Sequence, residues 1–335
     1  MEENAGLHRF AIATVCATFC LIIAGGLVTS TGSALAVPDW PLSYGQVMPP
    51  MTGGVLYEHG HRMVATFVGM LTTILAIWLW RREKRGWVRT LGWVALLSVI
   101  TQGVLGGLTV LLLLPTPISV SHAALAQSFF CLTIILAAVT TPKWESEPTK
   151  ELATIGKTRT LALATTGVIF LQLLLGALMR HTESGLAIPD FPLAYGHLLP
   201  PLDASAMGEI NAARLQLDLP PAEFGQLWIH FAHRVGALLA AGVTLISVRH
   251  VLSSFKSESA MREPAIILMV LMVVQLLLGA LTVWTGKNVE AATAHVATGA
   301  LLLGTSVVLS LRTYHLFRPS AVPVRATFVP EGGSA

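Results

Sequence analysis

Eight apolar stretches of about twenty residues constrain the fold of this chain more than any other feature. They cover residues 10–29, 58–80, 88–114, 119–140, 160–180, 228–249, 264–284 and 290–312. A helix of about twenty residues crosses the hydrocarbon core of a bilayer, which is roughly 30 Å thick. Only 12% of the residues are charged, about half of the share usual in soluble proteins. We therefore predict an all-α, polytopic membrane protein with eight transmembrane helices, and we exclude a disordered chain.

Basic residues are concentrated in every second connection between these segments, and this pattern predicts the orientation. The basic connections and the tail contain Arg81, Arg82, Lys84, Arg85 and Arg89; Lys143, Lys150, Lys157 and Arg159; Arg249, Lys256 and Arg262; and Arg312, Arg318 and Arg325. Loops rich in Lys and Arg stay in the cytoplasm. We expect both termini there, in a multi-pass protein of the inner membrane. The net charge of +3 gives no reason to expect a nucleic-acid partner.

An internal repeat divides the chain into two halves. Residues 38–50 (PDWPLSYGQVMPP) correspond to residues 189–201 (PDFPLAYGHLLPP), and residues 102–110 correspond to residues 275–283. Because the offset grows from 151 to 173 residues, we place an insertion within residues 202–227. Four helices per half make the repeat parallel, which predicts two four-helix bundles side by side. We assign residues 1–150 and 151–315 to the bundles and residues 316–335 to a flexible cytoplasmic tail.

Histidines occupy equivalent positions in pairs near the outer ends of the even-numbered segments. His61 and His122 lie in the first half, and His233 and His295 repeat them in the second. An ionisable residue inside a membrane is costly and indicates function. Two imidazoles on facing helices suit the axial positions of a haem iron, whereas zinc requires four ligands. A single buried histidine would more often be structural, but two duplicated pairs favour metal ligands.

Charged neighbours of these histidines distinguish the two halves. Arg62 and Arg234 follow His61 and His233 directly; they could pair with haem propionates or anchor the helices at the lipid headgroups. Glu58 precedes His61 by three residues and shares its helix face, while His230 stands at the equivalent place in the second half. A carboxylate there could transfer protons, or it could simply favour the helix N-terminus. The first half thus has reactive groups that the second lacks.

Other residues are weaker candidates. The remaining histidines are His59, His181, His197, His230, His8, His250 and His315, of which we expect the last three to be solvated. The proline-rich loops after the first and fifth segments are interpreted either as amphipathic lids or as interfacial anchors. The three cysteines, Cys16, Cys20 and Cys131, are interpreted as small core residues.

These residues resemble the haem A synthase family of cytochrome oxidase assembly proteins. The resemblance rests on the EHGHR sequence at residues 58–62, on TGSALAVPDWPL at residues 31–42 and on the paired histidines, and it extends to about residue 315. Some bacterial members have a cysteine pair beside the PDWPL sequence. Here those places contain Ala36-Val37 and Ser43-Tyr44, so a loop disulfide is excluded.

The resemblance implies an activity and a different role for each half of the chain. Haem O would bind in the first half, where successive hydroxylations would convert a ring methyl group into the formyl group of haem A. Glu58, His61 and His122 would form the active site. His233 and His295 would bind haem B as an electron-transfer cofactor. Expected partners are haem O synthase and an electron-transfer protein; a homo-oligomer stays open.

Two other functions remain open at this stage. A dihaem membrane cytochrome without substrate chemistry explains the four histidines equally well, but it does not explain Glu58. A transporter built from parallel repeats explains the topology, but it does not explain the histidine pairs.

Overall fold

The computed structural model of the protein describes residues 3–142, 144, 149–152, 155–201 and 203–319. The helices are α1 (Glu3–Ser30), α2 (Gly54–Arg82), α3 (Gly86–Leu111), α4 (Thr116–Val139), α5 (Ile155–His181), α6 (Met207–Gln216), α7 (Phe224–Ser254), α8 (Ser259–Trp284) and α9 (Val289–His315). Two short strands, β1 (Lys150–Glu151) and β2 (Phe317–Arg318), pair in parallel. All helices except α6 are long and apolar enough to span a membrane, which confirms the predicted fold class.

The long helices suit a membrane because they satisfy their backbone groups internally, as a segment in lipid must. Their ends are marked by local signals. Pro117 lies in the first turn of α4, where a missing backbone N–H is tolerated. The side chain of Asn288 accepts a hydrogen bond from the backbone N–H of Ala291 and caps α9. Glu223 and Gln226 form a capping box at the start of α7.

The helix contacts form two closed rings. In the first half, α1, α2, α3 and α4 each contact the next, and α1 also contacts α4. In the second half, α5, α7, α8 and α9 do the same, with α5 against α9. The rings meet where α9 and α5 contact α4 and where α9 contacts α1. The division at residue 150 remains a prediction, although β1 lies against β2 at the end of the second half.

Each ring has an apolar core at the end that carries the termini. Leu75, Leu79 and Leu136 are buried there in the first half, and Leu268 and Leu309 in the second. At the opposite end lie the long loops of residues 31–53 and 182–223, and we call it the loop end. The paired histidines lie between the cores and the loop end.

Large apolar side chains cover the outside of the rings. Leu97, Leu171 and Leu238 are 64–70% exposed, as expected for side chains that face lipid. Cys16 and Cys20 are also exposed on α1, so the prediction that they are core residues was wrong. An apolar thiol is as compatible with lipid as with a protein core, and composition alone cannot distinguish the two.

Two further segments differ from the prediction. The predicted flexible tail begins as a strand: Phe317 is buried against Phe255, with ring centres 5.1 Å apart, and its carbonyl accepts a hydrogen bond of 2.8 Å from Nη2 of Arg159. The predicted insertion contains the helix α6, which has no apolar signal in the sequence because it is short and polar. Residues 320–335 of the predicted tail, with Arg325, and the loop residue Lys143 lie outside the described residues.

Candidate haem site

All four paired histidines pack against a glycine of the preceding long helix. A Cβ atom on Gly25 would lie 3.2 Å from Cε1 of His61, and one on Gly106 would lie 3.2 Å from Cε1 of His122. In the second half, Gly176 and Gly279 face His233 and His295 in the same way, both at 3.1 Å. Each of these glycines begins a GGL or GAL sequence that recurs at residues 25–27, 106–108, 176–178 and 279–281, and each provides a notch for an imidazole.

The spacing of the second pair suits a shared axial metal. The ring centres of His233 and His295 are 6.5 Å apart, and their planes are inclined by 73°. Because a metal–imidazole bond is about 2 Å long, two rings on opposite sides of one metal have centres roughly 6 Å apart. In the first half, His61 and His122 occupy the equivalent notches and are within electrostatic range of one another.

The chemistry of the donors also fits a haem. The Nδ1 atoms of His61, His122 and His295 are buried and have no hydrogen-bond partner among the described residues, although buried polar atoms normally have one. No group of three or more potential ligand residues occurs within the described ranges. A porphyrin supplies four nitrogens of its own, so a pair of histidines completes the coordination of its iron.

Each half closes its loop end with the same turn. Backbone N–H groups of Tyr44 and Gly45 donate to the carboxylate of Asp39 at 2.7 and 2.8 Å. These bonds, that of Gly45 first, lower the pKa of Asp39 below its ordinary value. Tyr44 and Gly45 both have positive φ angles, 53° and 71°, as a type I′ turn requires. Asp190, Tyr195 and Gly196 repeat the bonds and angles.

The two arginines hold these loops. Arg62 donates through Nη1 to the carbonyls of Asp39 and Leu42 at 2.7 and 3.0 Å, and through Nη2 to that of Val37 at 3.3 Å. Arg234 bonds the matching carbonyls: Leu193 at 2.8 Å, Ile188 at 3.0 Å and Asp190 at 2.7 Å. A guanidinium has five N–H donors, and most of them are engaged here. In the structure both arginines thus serve as loop anchors. Their contact with a haem propionate remains a prediction.

Glu58 and His230 perform the same structural task with different chemistry. The buried backbone N–H of Val37 donates to Oε2 of Glu58 at 2.7 Å, and Nη2 of Arg62 donates to its Oε1 at 2.5 Å. In the second half, the N–H of Ile188 donates to Nδ1 of His230 at 3.3 Å. Each side chain thus satisfies a buried loop amide. Glu58 is only 4% exposed, and its carboxylate is placed between Arg62 and the first loop.

The first loop also reaches the neighbouring helix through Trp40. A Cβ atom on Gly107 would lie 2.6 Å from Cδ2 of Trp40, so the indole rests directly on the α3 backbone. The adjacent Gly106 faces His122. In the second loop, the ring of Phe191 packs edge-on against Trp284, with centres 5.8 Å apart. These contacts favour the interpretation of the loops as lids.

Most of the other histidines make local contacts through the ring or the backbone. Nδ1 of His59 is 2.7 Å from Oγ of Ser43, and the carbonyl of His181 accepts from Thr116 at 3.2 Å. The three outlying histidines are half-buried, so they keep contact with solvent, but each also has a partner within the protein. Nδ1 of His8 is 3.0 Å from the carbonyl of Ala137, and Nε2 of His250 is 3.0 Å from the hydroxyl of Thr158. His315 stacks on Trp144.

One anchoring residue of the second loop could not be identified from the sequence. Arg214 of α6 is 3% exposed and donates to the carbonyls of Leu186, Ala187 and Pro220 at 2.7, 3.1 and 2.8 Å. These bonds fix the insertion to the second loop. The first half has no counterpart of α6, and so the repeat contained no signal for this arginine.

Comparison with known proteins confirms the resemblance. The family model COX15-CtaA, described as cytochrome oxidase assembly protein, matches residues 8–307. Heme A synthase of Geobacillus kaustophilus is 27% identical over 334 residues, which cover 98% of this chain and 97% of the relative. The heme A synthases of Lysinibacillus sphaericus and Bacillus licheniformis are 27% and 28% identical over 91% and 87% of this chain, and over 94% and 91% of their own lengths.

Proposed function

This chain belongs to the COX15-CtaA family of cytochrome oxidase assembly proteins, which gives it a role in haem A biosynthesis, and from this premise we propose that it oxidises a ring methyl group of haem O to a formyl group. The conversion is a four-electron oxidation that adds one oxygen atom, so it requires an external electron acceptor and takes its oxygen from O2 or water. His61 and His122 would hold haem O, and His233 and His295 would hold haem B. When bound, the two haems supply the redox chemistry, with haem B as the electron-transfer cofactor. The relatives named heme A synthase match nearly the full chain, which supports this assignment over a transporter.

The observation that carries the proposal is the difference between Glu58 and His230. Both halves have two histidines in glycine notches, but only the first has a buried carboxylate one helical turn from a histidine. A general acid or base must lie near the reacting group and keep a proton available. Glu58 is proposed to meet the first condition because it lies one helical turn before His61. The second half, with an imidazole at that position, holds its haem without a carboxylate.

The chain's own residues then have distinct tasks. His61 and His122 bind and orient the substrate from opposite sides. Glu58 holds or releases a proton at its carboxylate, which Arg62 steadies from the loop side. The first loop, tied to α2 by Arg62 and to α3 by Trp40, excludes water from the loop end of the site.

The direct test adds this gene to cells that make haem O but no haem A. We expect haem A to appear in the membranes, identified by chromatography and mass, and the His233→Ala variant to contain less haem B. Membranes that contain the protein with bound haem but no haem A would contradict the proposal and favour the dihaem electron-transfer protein. Full haem B occupancy in His233→Ala would contradict the ligand assignment.

A further inference from the structure

Basic side chains are few at the loop end, and two of them are unpaired among the described residues. The loops and helix ends on this side contain five Lys and Arg residues, of which Arg62, Arg214 and Arg234 donate to loop carbonyls. The other two, Arg180 and Lys287, make no hydrogen bond and no ion pair within the part of the chain that the structure describes. Both are half-buried. Because a charge that is partly removed from water is costly without a partner, the two side chains favour a bound anion.

Arg180 lies one helical turn beyond the notch that receives His233. It follows Gly176 by four residues on α5, and residues four apart share a helix face. Since the Cα–Cβ bonds of a helix tilt toward its N-terminus, the side chain of Arg180 leans back toward the notch. The guanidinium is therefore placed on the loop-end side of the His233 ring.

Lys287 approaches the same place from the turn between α8 and α9. A Cβ atom on Gly185 would lie 3.4 Å from Cδ of Lys287, so the lysine side chain crosses to the segment that follows α5. Burial lowers the pKa of Lys287 below its ordinary value, the positive charge of Arg180 lowers it further, and Glu183 opposes the shift. Glu183 is exposed and is within electrostatic range of both cations. One exposed carboxylate leaves the two cations with a net positive charge.

The repeat shows that these cations belong to the second half alone. The turns after α3 and α8 have the same backbone hydrogen bonds, and Leu114 and Lys287 have similar positive φ angles, 60° and 67°. Leu114 therefore stands where Lys287 does. At the repeat offset of 151 residues, Thr29 stands where Arg180 does. The first half thus has an apolar and an uncharged side chain at the two positions.

We propose that Arg180 and Lys287 bind the propionates of the haem held by His233 and His295, and that the lack of both cations lets the first site release its haem more readily. The inference rests on the proposed haem-binding function and deepens it. A propionate is a carboxylate, which accepts charge-assisted hydrogen bonds from guanidinium and ammonium groups. A haem that is held at its iron and at its acid groups suits a resident cofactor, whereas a substrate must enter and its product must leave.

The first experiment compares ferric haem b with its dimethyl ester, in which both propionates are uncharged. The full-length protein carries His61→Ala/His122→Ala, so that only the second pair can hold a haem. We expect Arg180→Gln/Lys287→Gln to weaken the binding of haem b by about tenfold, the lower end of what hydrogen bonds to charged groups contribute. The affinity for the ester should stay the same.

The redox potential gives a second measurement on the same proteins. The midpoint potential of bound haem b should fall in Arg180→Gln/Lys287→Gln, because the loss of nearby positive charge favours the ferric state. Arg89→Gln is the matched control, since it removes an exposed arginine at the opposite end of the helices. It should change neither the affinity nor the potential.

The third experiment adds the charges to the first half, where tighter binding cannot arise from misfolding. In the His233→Ala/His295→Ala background, we expect Thr29→Arg/Leu114→Lys to slow the transfer of haem b to apomyoglobin by about tenfold. Thr29→Gln/Leu114→Gln is the matched control, because it adds polar side chains of similar length without charge, and it should not slow the transfer.

The outcomes separate this inference from the proposed function. If Arg180→Gln/Lys287→Gln keeps its affinity and potential, or loses affinity for haem b and for the ester alike, propionate binding is overturned. If Thr29→Arg/Leu114→Lys releases haem b as fast as its parent, the explanation for easier release from the first site is overturned. If the unmodified protein takes up no haem at all, the proposed function fails together with the inference.

Discussion

At the scale of single residues, the comparison of Glu58 with His230 separates the structural role of this position, which is to anchor a loop, from its proposed role in proton transfer. Both side chains accept a hydrogen bond from a buried loop amide, that of Val37 or of Ile188. The sequence predicted the difference in charge between the halves, because the EHGHR motif aligns with residues 230–234. It could not predict the shared anchoring role, since that depends on the path of a loop more than twenty residues upstream.

This equivalence provides a substitution that removes the carboxylate while a loop anchor is kept. In Glu58→His, the imidazole can accept from Val37 as His230 accepts from Ile188, so we expect normal folding and normal haem B content. Haem A formation should fall by about a hundredfold or more, the usual effect of removing a general acid or base. Both haems can be quantified by chromatography of membrane extracts.

The reciprocal variant His230→Glu is the control for this experiment. It places a carboxylate beside Arg234, as Glu58 lies beside Arg62, without changing the substrate half. Haem A formation should stay within a few-fold of the unmodified protein. Unchanged haem A formation in Glu58→His would show that Glu58 serves only to anchor the loop.

At the scale of elements, the fit between helix and imidazole depends on the absence of a side chain. On α5, a Cβ atom at Gly176 would lie 3.1 Å from Cε1 of His233, whereas one at Gly167 would meet nothing within 4 Å. We expect Gly176→Ala to displace the ring and to lower the affinity for haem b about tenfold, comparable to other losses of ligand orientation.

Gly167→Ala is the matched control, because it makes the same change on the same helix away from the notch. Affinity follows from titration of the purified protein with haem b and from the optical spectrum of the bis-imidazole complex. Equal affinities in the two variants would show that the notch does not position His233, and the glycine would then serve helix packing alone.

The elements could be predicted to different degrees. The eight membrane spans were predicted with ends within seven residues of those in the structure, because length and hydrophobicity determine a span. The helix α6 and the strand β2 were missed, since neither has an apolar periodicity and both depend on distant partners such as Leu186 and Arg159. The histidine pairs were predicted from the repeat. The loop contacts of Arg62 and Arg234 were not predicted, because a guanidinium beside a haem-type site has several plausible acceptors.

At the scale of the whole molecule, the helix contacts place α9 at the centre. It contacts α5 and α8 in its own ring and α1 and α4 in the other. More than half of the residues in its most apolar stretch are buried. His295 therefore lies on the helix that joins the rings. The two proposed haem sites therefore belong to one continuous helical assembly.

Orientation in the membrane is the remaining property of the whole molecule, and it decides from which side the loop end is reached. The loop at Arg81–Arg85 and the termini lie at the other end, and their positive charge predicts a cytoplasmic location. We expect cysteines introduced at Val47 and Leu198, which are 80% and 83% exposed, to react with a membrane-impermeant thiol reagent in intact cells from which any outer membrane has been removed.

The control for the opposite side is a cysteine at Lys84, which should react only after the membrane is permeabilised. All variants are made in a background where Cys16, Cys20 and Cys131 are replaced by Ala, because two of these thiols are exposed on the helix surface. Labelling at position 84 but not at 47 or 198 in intact cells would reverse the topology. The proposed site would then open to the cytoplasm, and haem O would have to enter from that side.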